Sequence, residues 1–353
     1  TDPDVTFADD PLRMLRAVRF ATRYDWKLPR GLVESIQRNA DTLKNISAER
    51  IQDELNKILM TDRPDAGLKI LSLTGLNQHI IPELDMCRGV TQNAHHKDDV
   101  FDHILEVVKN TPKDLDARLA AVFHDIGKPQ TRSVEDGKVH FYDHEDVGAK
   151  IAAERLHTLK YSNDQIQTIT KIVGNHMRLK AAGPAGDKVS DKTLRRFVIS
   201  LGKDIVPAMK MMHADNLSHA KESSMPQQIP ALLRRIGNLQ ISSGSEAKVK
   251  LPINGNDIMQ VFNLKPGPQI KQVLSAVEDA WLDNPQLSKI DALRIAKQYL
   301  GQDTAPRNNN SEDRLNHRVV NAVTNNKILV KTALKYDKSH PAYQAAKAYL
   351  KKS

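Results

Sequence analysis

One stretch, Ala117-Arg118-Leu119-Ala120-Ala121-Val122-Phe123-His124-Asp125-Ile126-Gly127-Lys128-Pro129, sets an imidazole beside a carboxylate at the end of an apolar run with helical spacing. Burying His124 and Asp125 together is costly unless they have a partner. Gly127 and Pro129 stop the helix just beyond. A metal ion is the partner this pair suits, because neutral imidazole and carboxylate together accommodate Zn, Mn, Fe, Ni or Mg. Lys128 adds a positive charge that a phosphate would meet. A bound cation there would lower the pKa of its water and clamp phosphoryl oxygens.

Four more residues extend the pattern. His103 lies in the amphipathic run Val100-Phe101-Asp102-His103-Ile104-Leu105, His144 follows Asp143, His176 ends the run Thr168–His176, and Asp215 lies in Met211-Met212-His213-Ala214-Asp215. The order His, His-Asp, His, His, Asp resembles the HD-domain metal-dependent phosphohydrolases. That resemblance implies a core set of His103, His124, Asp125 and Asp215 on separate helices, with His144 and His176 as an outer pair for a second metal or the substrate phosphate. It implies a divalent cofactor, Mg, Mn, Ni or Zn, with Asp125 and Lys128 as the catalytic residues. Taken singly, a histidine is more often a surface or hydrogen-bonded core residue than a ligand. His140 and His157 are read that way, and His95, His96, His213 and His219 as weaker candidates near the ligands.

The rest of the chain must position these groups. At 353 residues it is long enough for two or three domains, and 40% hydrophobic content allows sizeable cores. No run approaches a membrane span, and no secretory signal precedes the fold. The single cysteine, Cys87, excludes an internal disulfide framework and fits a reducing cytoplasm. A formal charge of +9 and a pI near 9.4 favour an anionic partner, with nucleic acid the leading candidate.

The N-terminal stretch reads as a helix over 7–21, capped at Asp9 or Asp10 with Pro11 in the first turn. Leu12, Met14, Leu15, Val18 and Phe20 supply its buried side, and Arg13, Arg16, Arg19 and Arg23 form a basic stripe. A capped, solvated helix would account for that much. The run Phe7-Ala8-Asp9-Asp10-Pro11-Leu12-Arg13-Met14-Leu15-Arg16-Ala17-Val18-Arg19-Phe20 also resembles the nucleotide-reading motif of the class II tRNA nucleotidyltransferases, the CCA-adding enzymes and bacterial poly(A) polymerases. The resemblance implies that Asp10 and Arg13 read the incoming base, the carboxylate accepting from the exocyclic amine of C or A and the guanidinium donating to the neighbouring ring nitrogen. Arg16 and Arg19 would then face nucleotide phosphate or RNA.

Further segments carry the same resemblance. Ile46-Ser47-Ala48-Glu49-Arg50-Ile51 through Glu54-Leu55, with Ser47 as N-cap, is similar to that family's neck, as is the turn Ile81-Pro82-Glu83-Leu84; Glu49, Arg50 and Glu54 are read as internal salt-bridge partners. Pro252-Ile253-Asn254-Gly255-Asn256-Asp257-Ile258 and Pro266-Gly267-Pro268-Gln269-Ile270 are similar to the C-terminal part that holds the tRNA body. Between these come a polar linker over 87–96, a hairpin near 133–141, a mobile loop over 181–188, and helices over 229–239, 270–282 and 289–300. A linker over 302–312 and a Lys-rich helical or RNA-lying appendage over 315–350 follow.

The expected architecture is therefore all-α with at most a short hairpin, an elongated multi-helix neck, body and tail. The boundaries are 1–25 for the end of the nucleotide-recognition region, 26–90 for the neck, 91–225 for the HD domain, 226–300 for the tRNA-binding body and tail, and 301–353 for a basic extension. The family's head domain, with its Gly-Ser loop, paired aspartates and Arg-Arg-Asp motif, finds no counterpart in residues 1–9. The chain is thus expected to be part of a cytoplasmic CCA-adding enzyme that binds tRNA or other RNA, using ATP and CTP when a head is supplied, in a longer chain or as a separate subunit. The alternatives are a standalone HD phosphohydrolase and a catalytically silent RNA-binding subunit.

Overall fold

The computed structural model of the chain describes residues 2–92, 99–239, 251–303, 318–321 and 326–329. They are mostly helical, and their strands form two antiparallel pairs. No described helix is long and apolar enough to cross a membrane. The chain divides into two compact units, Thr1–Lys188 with Lys203–Arg234, and Val189–Gly202 with Arg235–Ser353.

The first unit opens with two helices where the sequence suggests one. Asp10 adopts an extended backbone that ends α1 (Pro3–Asp9), and its Oδ1 accepts from Leu12 N–H at 3.3 Å to start α2 (Leu12–Tyr24). Leu12, Met14, Leu15 and Val18 are buried as expected, but Phe20 is 37% exposed. The apolar stripe turns with the 3.6-residue period, and Phe20 falls outside it. α1 docks on α3 (Arg30–Asn39) through Asp4, which accepts from Ser35 Oγ at 2.6 Å, Asn39 Nδ2 at 2.7 Å and Arg38 Nη2 at 2.7 Å.

α2 packs on α4 (Ala48–Leu59) and α5 (Pro64–Leu73). Ser47 holds the N-cap position of α4, but its hydroxyl makes no capping bond. Glu54 is the internal ion-pair partner expected of it, accepting from Arg19 Nε at 2.7 Å while 4% exposed. The short α6 (Pro82–Asp85) closes this region.

α7 (Val100–Asn110), α8 (Leu115–Phe123), α11 (Asn163–Asn175) and α13 (Ile205–Leu217) enclose the core of the unit, and α8 packs against all three of the others. Ala117 and Leu119 to Phe123 of α8 are buried on every side, so this helix is a core element. Its one cation, Arg118, is 4% exposed. The guanidinium donates to the carbonyls of Leu59 and of Thr61 (2.8 Å), and Nε donates to Thr111 O at 3.0 Å. It thus satisfies open carbonyls at or just past the C-terminal ends of α4 and α7.

α9 (Lys128–Thr131) leads into β1 (Arg132–Glu135) and β2 (Lys138–Phe141), the expected hairpin. Asp136 and Gly137 both have positive φ, the turn that matches strand twist. α10 (His144–Thr158) then packs on α11. The segment read as a mobile loop after His176 is packed instead. Ala182 is buried, Gly183 O accepts from Gln228 at 3.0 Å, and a Cβ at Gly186 would meet Leu232 at 3.0 Å.

The second unit holds α12 (Asp191–Leu201), α15 (Gly255–Phe262), α16 (Pro268–Asp283) and α17 (Lys289–Asp303); α14 (Gln228–Asn238) contributes residues to both units. Asn254 and Asp257 form a reciprocal cap at the start of α15. Ile253, Ile258, Ile270, Val273, Val277, Ala292 and Ala296 make its core. α17 takes in Gln302 and Asp303, beyond the helix end that the sequence suggests at Leu300. Part of the appendage read as helical is a hairpin, β3 (Arg318–Asn321) with β4 (Asn326–Leu329). The β-branched pair Val319-Val320 and Ile328 are the local preference that favours strand there. The remainder of 304–353, the expected loop over 242–245, and His95 and His96 lie outside the described residues.

Candidate metal centre

Seven residues from separate stretches of the sequence meet inside the first unit. His103 comes from α7, His124 and Asp125 from the turn after α8, and Lys128 begins α9. His144 begins α10, His176 follows α11, and Asp215 is on α13. His103, His124, Asp125, His144, His176 and Asp215 are each at most 5% exposed. The meeting depends on a close approach. A Cβ at Gly127 would lie 2.3 Å from His144 O and 2.7 Å from Gly148 N, and one at Gly148 would lie 3.3 Å from Phe123 O. Gly127 is needed for contact, since its φ of −79° suits any residue.

The donor atoms form two triads, His103–His124–Asp215 and Asp125–His144–His176, each with its atoms within 4.8 Å of one another. Asp125 faces both. Its Oδ2 lies 3.2 Å from His124 Nε2 and 3.5 Å from His103 Nε2, and its Oδ1 lies 3.3 Å from His144 Nε2 and 3.8 Å from His176 Nε2. Asp215 Oδ1 lies 3.2 Å from His103 Nε2.

The ring orientations are set from behind. His124 Nδ1 lies 2.8 Å from Ala121 O, His144 Nδ1 2.8 Å from Phe141 O and His176 Nδ1 2.7 Å from Val173 O. A carbonyl only accepts, so each Nδ1 carries the proton and each Nε2 is left as a lone pair aimed inward. His144 Nε2 and His176 Nε2 then face each other across 3.3 Å. Two lone pairs at that distance need a proton or a cation between them. His124 Nε2 and Asp215 Oδ1 are buried without a hydrogen bond of acceptable geometry. These residues fit a divalent cation: all nitrogen and carboxylate oxygen, no thiolate.

The electrostatics agree. Burial, and next the imidazoles of His144 and His124, hold His176 well below the usual histidine range; burial also lowers His103 against the pull of Asp215. Burial opposes the charged form of His124 too, but Asp125 outweighs it and raises the group. Burial would raise both carboxyls, yet His124 and Lys128 hold Asp125, and Lys180 and His103 hold Asp215, well below the carboxylate range. Lys128 Nζ lies 2.6 Å from Asp125 Oδ2, and Lys180 Nζ 2.8 Å from Asp215 Oδ2.

A cavity of about 550 Å³ opens onto the cluster, lined among others by Lys128, Phe141, His144, Met177, Lys180 and His219. Three of its residues went unassigned or underrated in the sequence. His219, just past the C-terminal end of α13 and four residues after Asp215, has Nδ1 2.7 Å from Asp215 O, and burial lowers its pKa to about 4. Lys180 lies four residues after His176, but outside α11, so helical spacing gave no signal for it. His140, read as structural, stacks on Tyr142 at 5.1 Å and also lines the cavity. His213 is absent from both triads and from the cavity lining.

The residues expected to read a nucleotide are spread out. Arg13 and Arg16 line a hollow of about 440 Å³ with Thr6, Phe7, Phe20 and Leu32. Asp10 lies 3.5 Å from Arg50, and Arg19 is held on Glu54.

A family model described as "Probable RNA and SrmB- binding site of polymerase A" matches residues 27–87, and one for tRNA nucleotidyltransferase domain 2 matches residues 132–291. Together these matches and the relatives below support a class II tRNA nucleotidyltransferase. It is 29% identical to the CC-adding tRNA nucleotidyltransferase of Thermus thermophilus, covering 77% of this chain and 62% of that protein. It is 28% identical to the A-adding tRNA nucleotidyltransferase of Deinococcus radiodurans, over 77% of this chain and 64% of that one. A multifunctional CCA protein of Chromobacterium violaceum is 35% identical over 45% of this chain and 40% of its own length. The chain thus spans about three fifths of the first two relatives. Among solved structures it resembles a CCA-adding enzyme in complex with ATP, at 18% identity and a TM-score of 0.46, covering 85% of this chain and 62% of the other.

Proposed function

We propose that this nucleotidyltransferase-family chain carries a metal-dependent phosphohydrolase centre of the HD type that works on RNA ends, within a protein that selects CTP and ATP for addition to tRNA. One observation carries the hydrolase reading: Asp125 stands between two histidine-bearing triads, in one of which two Nε2 lone pairs face each other. His103, His124 and Asp215, and Asp125, His144 and His176, would hold divalent metal. When bound, the metal supplies positive charge against a phosphoryl group and a water of lowered pKa. The chain's own residues do the rest. Carbonyls of Ala121, Phe141 and Val173 fix the imidazoles, Lys128 and Lys180 neutralise the carboxylates and stand at the cavity wall, and Phe141 and Met177 exclude bulk water. The substrate is a 2′,3′-cyclic phosphate or a phosphomonoester at an RNA end, and the reaction is hydrolysis of one P–O bond.

In the same reading Asp10 and Arg13 select the base, helped by Arg16 and Arg19, once a head domain is present. Residues 26–90 form the neck, 91–225 the HD domain, and 226–300 hold tRNA with the Lys-rich 301–353 behind them. Phosphate neutralisation by Lys and Arg makes such binding fall steeply with salt.

A second reading has its own observation. Lys128 and Lys180 already neutralise Asp125 and Asp215, as they would in a silent RNA-binding protein. Metal analysis of the purified chain, followed by an assay on 2′,3′-cyclic AMP with Mg, Mn, Ni and Co, separates the two. The hydrolase reading expects bound metal and turnover with at least one of them. Metal-free protein with no turnover under all four metals ends it.

A further inference from the structure

We propose that the outer face of α2 and the turn after it form a stacking platform for unpaired RNA bases, built on Phe20, Tyr24 and Trp26. The proposal rests on the RNA-binding reading above and adds where, and by what chemistry, unpaired nucleotides are held. The three rings follow one another with nearly parallel planes. Phe20 and Tyr24 have centroids 6.2 Å apart at 13°, and Tyr24 and Trp26 4.8 Å apart at 27°. They are 37%, 49% and 63% exposed.

Helical spacing puts Phe20 and Tyr24 on one face, but Trp26 lies beyond the helix end. It joins the row because Asp25 takes a left-handed φ of 53° and Trp26 N–H donates to Ala21 O at 2.9 Å. The largest apolar side chain of the region is thus aligned with its neighbours and left in water, against the hydrophobic effect. Free aromatic faces beside cations are what single-stranded nucleic acid stacks upon, because every base has a π-face.

Cations flank the row. The Arg19 guanidinium lies 4.4 Å from the Phe20 centroid and that of Arg23 lies 5.6 Å from the Tyr24 centroid. A groove of about 520 Å³ runs beside Tyr24, lined by Arg19, Arg23, Lys57 and Lys113 against the single carboxylate of Asp62. Glu54 holds Arg19, Asp53 holds Lys57 and Asp62 holds Lys113, while Arg23 makes no ion pair among the described residues. That cation without an ion-pair partner beside the rings favours a polyanion over an apolar protein surface as the occupant.

The test uses the full chain. Trp26 and Trp281 are its two tryptophans, so Trp281→Phe leaves Trp26 as the sole reporter. Oligo(A) and a blunt RNA duplex of equal charge, both labelled, are titrated at low salt while anisotropy reads total binding and Trp26 emission reads stacking. The platform expects quenching by oligo(A) and none by the duplex. It also expects Trp26→Leu, which keeps an apolar side chain but no π-face, to weaken oligo(A) binding about 5- to 150-fold and leave duplex binding unchanged. RNA binding with unaltered Trp26 emission and unaltered Trp26→Leu affinity overturns the platform and leaves the RNA reading standing. Absence of RNA binding overturns both. A change in sedimenting mass for Trp26→Leu with RNA affinity unchanged makes the face a protein interface and overturns the platform as well.

Discussion

Asp125 and Asp215 are buried and surrounded by imidazoles and lysines, whereas Arg13, Arg16 and Arg23 of α2 stand exposed and Arg13 and Arg16 line an open hollow. The two regions hold charge in opposite ways. At the histidine centre both carboxylates are taken out of water, and the desolvation is offset by partners within hydrogen-bonding distance. Such a site is ordered before anything binds, and its geometry answers to single atoms. On α2 the guanidinium groups of Arg13, Arg16 and Arg23 keep their water, so the helix is barely dependent on them and they remain available to an anion. Substitutions in the centre should therefore change binding and folding together, while those on α2 should change binding alone.

The largest effect is expected at Asp125, which belongs to one triad and faces the other. Asp125→Ala removes a ligand from one triad and the charge beside the other. Loss of groups that merely orient a ligand costs about 10- to 100-fold in metal affinity, so removing this one should exceed that and leave metal content near zero by elemental analysis. A variant that retains stoichiometric metal would break the comparison at its strongest point.

Arg118→Met comes next and touches no ligand. It leaves the carbonyls of Leu59, Thr61 and Thr111 without their buried donor. Loss of a buried, multiply bonded cation should cost about 3 kcal/mol, read as a lower denaturant midpoint at unchanged slope. The same change at the exposed Arg16 should stay within about 0.5 kcal/mol. Equal effects at the two positions would deny that burial separates the regions.

Much of the centre was legible because its ligands punctuate helices: His103 in an amphipathic run, the His124-Asp125 pair before a Gly-x-Pro stop, His144 and His176 at helix ends. Sequence order suggests a core of four with an outer pair; what it does not show is that Asp125 turns one carboxylate oxygen to His103 and His124 and the other to His144 and His176, a matter of where α10 and α11 cross α8. Lys180 and His219 were hidden by distance from the motif, although each follows a ligand by four residues. On α2 the periodicity found the buried side but misjudged Phe20, and it gave no hint that Glu54, thirty-five positions away, would draw Arg19 out of the basic stripe. Helical spacing states which side chains share a face; it does not state which face meets a carboxylate from another helix.

Gly127→Ala sharpens the comparison at lower amplitude. The added Cβ would lie 2.3 Å from His144 O, so the first turn of α10 must move and carry His144 away from Asp125. Overpacking of this kind costs about 1–3 kcal/mol. Metal affinity should fall with stability, and zinc titration of the folded variant reads the two separately. Gly31, where an added Cβ would meet nothing within 4 Å, is the matched control and should accept Ala without loss of either.

The smallest effect concerns Asp4, which pins α1 to α3 at the edge of the arginine hollow. Hydrogen bonds from Ser35 and then Arg38 hold its carboxyl below the usual value of 3.8. A carboxyl depressed in the folded state contributes stability that is present above its unfolded pKa and is lost as pH falls through the folded one. Asp4→Asn keeps an acceptor for Ser35 but removes the charge facing Arg38, so the variant should be slightly less stable than the parent at pH 7. The gap should close as pH drops below 3.8 and the parent carboxyl also becomes neutral. Denaturant midpoints of the two proteins between pH 7 and pH 3 measure it. A gap that persists unchanged at the acid end would mean that Asp4 acts through shape alone. The exposed side of the molecule would then owe its α1–α3 contact to packing, as the buried side does.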